Sequence, residues 1–124
     1  MSSLRLSNVI ETLAAEPQGS FVDLLDFNGA TFGACDITGV SPVWEMHPDT
    51  DELFYIVEGE FEITLLEQEE SFHHVLTAGE IFVVPKGIWH KPAAPTGAKF
   101  IFHTPGISLH SDDADPRASV RTAD

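Results

Sequence analysis

The stretch Trp44-Glu45-Met46-His47-Pro48-Asp49-Thr50-Asp51-Glu52 concentrates more potential metal ligands than any other part of the chain. Side chains of a strand repeat every second residue, so Glu45 and His47 project from one face while Trp44 and Met46 take the other. A turn at Pro48-Asp49-Thr50 then starts a new strand at Asp51 or Glu52 and returns one of these carboxylates beside His47. His90 follows the tight Pro85-Lys86-Gly87 turn, on a later strand. Two imidazoles and one or two carboxylates, with open positions, suit iron(II), manganese, nickel or zinc. Taken singly, each has a plainer role: Glu45 on the solvated side of a half-exposed strand, Asp51 and Glu52 as turn and edge charges, His90 beside Trp89 as a satisfied core histidine.

The remaining reactive side chains are less organised. Cys35 is the single cysteine, so it forms no internal disulfide, and its apolar-alternating surroundings (Ala30–Ile37) read as those of a small buried thiol. Neither Cys35 nor Ser41 nor Ser71 stands beside a base in a nucleophile pattern. His73 and His74 are adjacent and must point to opposite faces of a strand, so they do not pair as ligands.

The elements that must position these groups are short. A helix is expected from Ser7, the N-cap candidate, to Ala15, stopped before Pro17. Strands are expected at Phe21–Phe27, Ala30–Ile37, Pro42–His47, Glu52–Val57, Glu60–Leu66, Phe72–Leu76, Glu80–Val84, Trp89–Lys91 and Lys99–His103. Turn residues every eight to twelve positions and no second helix favour an all-β closed or double-sheet fold. The chain therefore divides into an N-terminal arm with its helix (1–20), a barrel (21–110) and a polar tail (111–124) that stays mobile or drapes over a neighbour.

The whole is one domain of 124 residues with enough apolar side chain for a core. Six basic residues against twenty acidic ones, a net charge of −14, exclude the basic stripe that a nucleic acid requires and disfavour an anionic membrane surface. The opening residues Met1–Asn8 hold no apolar run of secretory length, so the expected address is the cytoplasm.

Read together, the candidate ligands resemble the two motifs of the cupin superfamily. The first runs Gly39, five residues, Glu45-Met46-His47, four residues, Glu52, six residues, Gly59; the second runs Gly79, five residues, Pro85-Lys86-Gly87, two residues, His90, three residues, Ala94. Every spacing agrees with the family's pattern. Two positions depart from it: Glu45 stands where the family has its first histidine, and Ala94 where it has asparagine.

The resemblance implies a double-stranded β-helix, or jelly roll, whose barrel holds one small-molecule ligand, and a homodimer. It also implies a divalent metal ion (iron, manganese, zinc or nickel) on Glu45, His47, Glu52 and His90. Alternatively, Glu45 stays off the metal as a general base with a pKa raised by burial. The barrel's alternation then gives Phe54, Ile56, Phe100 and Phe102 a lining role, with His103 a further pocket candidate, and leaves Leu53, Tyr55 and Val57 to pack between sheets or subunits. Two functions follow: a metal-dependent enzyme of isomerase, lyase or dioxygenase type acting on a small oxygen-rich metabolite, or a non-catalytic binding protein whose metal is structural or absent. An acidic pocket would repel sugar phosphates unless the metal or Lys86 and Lys91 compensated.

Overall fold

A computed structural model describes residues 3–118. Helix α1 (Val9–Ala14) precedes eight strands: β1 (Phe21–Phe27), β2 (Ala30–Val40), β3 (Trp44–Met46), β4 (Glu52–Glu67), β5 (Glu70–Thr77), β6 (Ile81–Val84), β7 (Trp89–His103) and β8 (Leu109–Ser111). They pair in the order β1-β2-β7-β3-β8, and β4 joins β7 to β5 and β6, giving a curled antiparallel jelly roll. No helix among the described residues is long and apolar enough to cross a membrane.

The two long strands hold the barrel together. Residues 52–57 and 60–66, expected as separate strands, are one continuous β4, and residues 89–91 and 99–103 are likewise one β7. Gly59 bends β4 without ending it: its φ is +89°, and a Cβ there would overlap the Gly97 carbonyl oxygen on β7. The pairing register shifts between Ile56 and Glu58 and again between Gly59 and Glu62, which reverses which residues face inward. Phe54 and Ile56 are buried before the bend and Phe61 and Ile63 after it. These four, with Cys35, Val84, Ala94, Ala98 and Phe100, form the core. Each large side chain removed from water there contributes about 1.5–3 kcal/mol.

The helix begins one residue later than expected. Asn8, not Ser7, is the N-cap: its side-chain oxygen accepts the Glu11 N–H at 3.0 Å, whereas the Ser7 hydroxyl meets that of Thr12. Leu13 then packs with Val22 and Ala34 on the outside of β1 and β2. Leu53, Tyr55 and Val57 lie on the outer face of β4, and Tyr55 is 36% exposed. The barrel's pairing extends past residue 110, because Ser111 on β8 pairs with Trp44. Beyond it Pro116 is buried and Arg117 donates to the carbonyls of Gln68 and Glu70, so this part of the tail packs against the β4–β5 turn. The rest of the expected tail lies outside the described residues.

Candidate metal centre

Three elements deliver the candidate ligands. Glu45 on β3 and His90 on β7 are direct cross-strand partners, which sets them side by side on one face. His47 follows two residues after Glu45 and is anchored where its carbonyl accepts the Gly87 N–H at 2.8 Å. Glu52 opens β4 and is buried. Of the two carboxylates that could return beside His47, Glu52 does so; Asp51 instead accepts the Lys86 N–H at 2.9 Å and fastens the turn before His90.

The four donor atoms lie within 4.8 Å of one another. Glu52 Oε1 is 2.9 Å from His47 Nε2 and 3.1 Å from His90 Nε2. Glu45 Oε1 is 3.5 Å and 3.3 Å from the same two nitrogens. Each ring is held from behind: His90 Nδ1 donates to the Ile88 carbonyl at 3.1 Å, and His47 Nδ1 to that of Ile107 at 3.2 Å, with Ser108 Oγ 3.1 Å away. With Nδ1 carrying its proton, Nε2 of both rings is the atom turned to the centre, the tautomer and orientation that a metal requires.

Without a metal the cluster is held by shared protons. Burial works against a charged His47, but hydrogen bonds to Glu45 and Glu52 outweigh it and raise the pKa to about 10. The same balance brings His90 to about 9. Burial would push the Glu45 carboxyl up, yet its bonds to His47 and His90 hold it well below the usual carboxylate range. In the metal-free cluster the Glu45 carboxyl is thus lowered and not raised, because two imidazoles face it. Cys35 is inert for the opposite reason: burial and neighbouring Asp36 push its thiol up to about 11.

The cluster opens onto a cavity of about 300 Å³, lined also by Phe54, Phe100 and Phe102. Two expected lining residues lie elsewhere. Ile56 is fully buried in the core, one inward position farther from Glu52 along β4. His103 follows Phe102 and so points out of the barrel, where it stacks on Phe32 at 4.2 Å and donates to the Thr31 carbonyl. Lys91 is not part of the cavity wall either: its Nζ lies 5.0 Å over the Trp44 ring.

The centre includes one neighbour that spacing did not reveal. His110 on β8 is the cross-strand partner of Glu45, and its Nε2 lies 3.2 Å from Glu45 Oε2. Together with Ile107 and Ser108 it makes the segment after β7 a support for both Glu45 and His47. Three residues of strand are too short to announce themselves by periodicity.

Residues 37–104 match the cupin domain family (Cupin_2), and the chain belongs to it. A cupin-2 domain containing protein from Shewanella frigidimarina is 33% identical, with a TM-score of 0.64 over 73% of this chain and 83% of that one. Hydroquinone 1,2-dioxygenase from Sphingomonas sp. TTNP3, solved with 4-hydroxybenzoate bound, shares the fold at 19% identity, with a TM-score of 0.66 over 78% of this chain and 71% of that one. Uncharacterized protein YdbB of Bacillus subtilis is 42% identical over 48 residues, which are 39% of this chain and 40% of that protein.

Proposed function

We propose that this protein is a metal-dependent cupin that binds a small molecule in its barrel and acts on it at a divalent ion. The observation that carries this reading is the convergence of two Nε2 atoms and two carboxylates, with both Nδ1 atoms already engaged behind them. His47, His90 and Glu52 supply the two-histidine, one-carboxylate set, and Glu45 adds a fourth donor, a second carboxylate oxygen. Imidazole and carboxylate donors without sulfur suit iron(II), manganese, zinc or nickel. Such an ion, when bound, polarises an oxygen of the ligand or, as iron, activates dioxygen. The chain's own part is to hold the donors, to keep water from three of them by burial, and to present an apolar wall beside the open side. A homodimer through the outer face of β4 and β6 belongs to the same proposal, supported by the exposed apolar residues Tyr55, Ile81 and Val83.

Binding without turnover is the alternative, favoured by the hydroxyls around the cavity: Ser41 donates to the Val43 carbonyl, and Ser108 meets His47 at Nδ1, the nitrogen whose proton is donated to the Ile107 carbonyl and which therefore accepts none from a nucleophile. Element-resolved metal content of untagged protein tests the central claim. About one metal per chain is expected in the wild type and almost none in His47→Ala, since an octahedral or tetrahedral site seldom survives loss of a nitrogen donor. Retention of metal in Glu45→Ala would take Glu45 out of the ligand set. Protein that stays empty after incubation with iron(II), manganese and zinc would leave only the metal-free binding barrel.

A further inference from the structure

Building on the metal-centre reading, we infer that the cavity selects a compact aromatic molecule with one or two oxygen donors at one end, of the phenol class, over polyols and phosphorylated molecules. Four rings form a continuous wall from the mouth to the ligands. Phe21, 73% exposed at the rim, meets Phe102 edge to face at 5.6 Å; Phe102 meets Phe100 at 6.1 Å; Phe100 meets Phe54 at 5.7 Å; and Phe54 stands edge-on to His90 at 6.3 Å. All four phenylalanines line the cavity, with Ile37, Val40 and Pro92. A planar ring gains offset-stacked or edge contacts against such a wall that a saturated polyol does not.

The hydroxyls away from the cluster each make a bond within the protein. Thr38 Oγ1 accepts from Gln18 at 3.0 Å, Ser41 Oγ donates to the Val43 carbonyl at 3.0 Å, Thr104 Oγ1 shares a bond with Thr50 at 2.8 Å, and Ser108 Oγ meets His47. A ligand with hydroxyls all round its ring would bury several of them against phenylalanine without new partners, which is costly. Charge excludes the phosphates. No lysine or arginine among the described residues lines the cavity; on β7, Lys99, next to Phe100, is paired with Glu58 at 3.4 Å, and Lys91, next to Pro92, lies over the Trp44 ring at 5.0 Å. Glu45 and Glu52 balance a divalent ion, so a phosphate carried on the ligand's body meets no counter-charge.

One glycine sets the wall. Gly33 is the cross-strand partner of Phe102, and a Cβ there would come within 2.6 Å of Phe102 Cζ. The ring therefore lies over bare backbone, and Gly33→Ala must displace it. Ring and cavity shape are coupled at this position.

The test is calorimetric titration of the zinc-loaded protein, whose closed-shell ion supports no redox turnover, with phenol, myo-inositol and glucose 6-phosphate. Phenol is expected to bind at least about tenfold tighter than either competitor. Phe102→Leu, which removes the ring and keeps the site apolar, is expected to weaken phenol about fivefold or more with zinc content unchanged. Gly33→Ala should do the same. Zinc-loaded protein that binds myo-inositol or glucose 6-phosphate as tightly as phenol, or that holds phenol equally well with Leu at 102, overturns the ligand class and leaves the metal centre standing. Wild-type protein that takes up no zinc removes both.

Discussion

Glu45 divides its two oxygens: Oε1 faces the imidazoles, and Oε2 lies 3.2 Å from His110 Nε2. A carboxylate so tethered offers a single oxygen to the centre, and the tether is an exposed histidine rather than a buried one, which limits its strength. Outer partners of metal ligands nonetheless tune affinity by about 10–100-fold, and the lower end is expected here. Zinc affinity should therefore fall about tenfold in His110→Ala and recover in His110→Gln, whose amide can still donate; an alanine variant equal to wild type would show that Oε2 needs no holder. The centre also carries a pH signature. His47 and His90 titrate near 10 and 9 when folded, against an ordinary histidine value of 6.5, so the stability they lend the metal-free protein is complete below about 6.5 and is lost as pH rises through 9 to 10. Metal must displace these protons, so its apparent affinity rises over the same interval. Thermal unfolding and zinc titration between pH 6.5 and 10 should show opposite trends; parallel ones would mean that the imidazoles do not carry the shared protons.

Among the elements, β4 and β7 matter most, because each crosses from one part of the barrel to another without interruption. That continuity depends on Gly59, where left-handed backbone and contact with Gly97 coincide. Gly79 gives the control: its φ is +93°, but a Cβ there meets nothing within 4 Å. Alanine at 79 should cost about 1–2 kcal/mol from backbone strain alone. Alanine at 59 should cost more, since the clash is with backbone rather than with a side chain that can swing aside. Denaturant midpoints of the two variants compare them directly, and equal losses would show that the β4 bend relaxes freely.

At the scale of the molecule, the same sheet that buries three of the candidate ligands inside leaves Tyr55, Ile81 and Val83 exposed outside, at 36%, 61% and 50%. Register explains their proximity: Tyr55 pairs with Ile81, and Leu53 with Val83. Scattered apolar residues are ordinary at a surface, but four paired across two strands form a patch. The proposed homodimer predicts sedimentation at twice the chain mass of 13.6 kDa, with Val83→Glu shifting the species to one chain mass while metal content is kept. A wild type sedimenting at 13.6 kDa alone would remove the dimer and leave the centre untouched.

In the sequence, two-residue alternation places Glu45 and His47 on one face, and the spacing that resembles the two cupin motifs brings Glu52 and His90 forward with them. These are local rules. The sequence by itself was enough for the all-β barrel, because turn chemistry and apolar alternation recur along most of the chain. Tertiary structure decided what depends on partners distant in sequence: that Asp51 fastens the turn at Lys86 while Glu52 faces the two imidazoles, that the bends at Gly59 and Gly97 continue strands rather than end them, and that β8 brings His110 beside Glu45. His103 shows the limit from the other side, for its place one residue after Phe102 turns it away from the cavity, and only the side chosen by Phe102 settled which of the two faced in. A glycine reads the same in sequence whether the next strand bends or stops. The difference lies in the strand that approaches it, and that approach exists only once the barrel has closed.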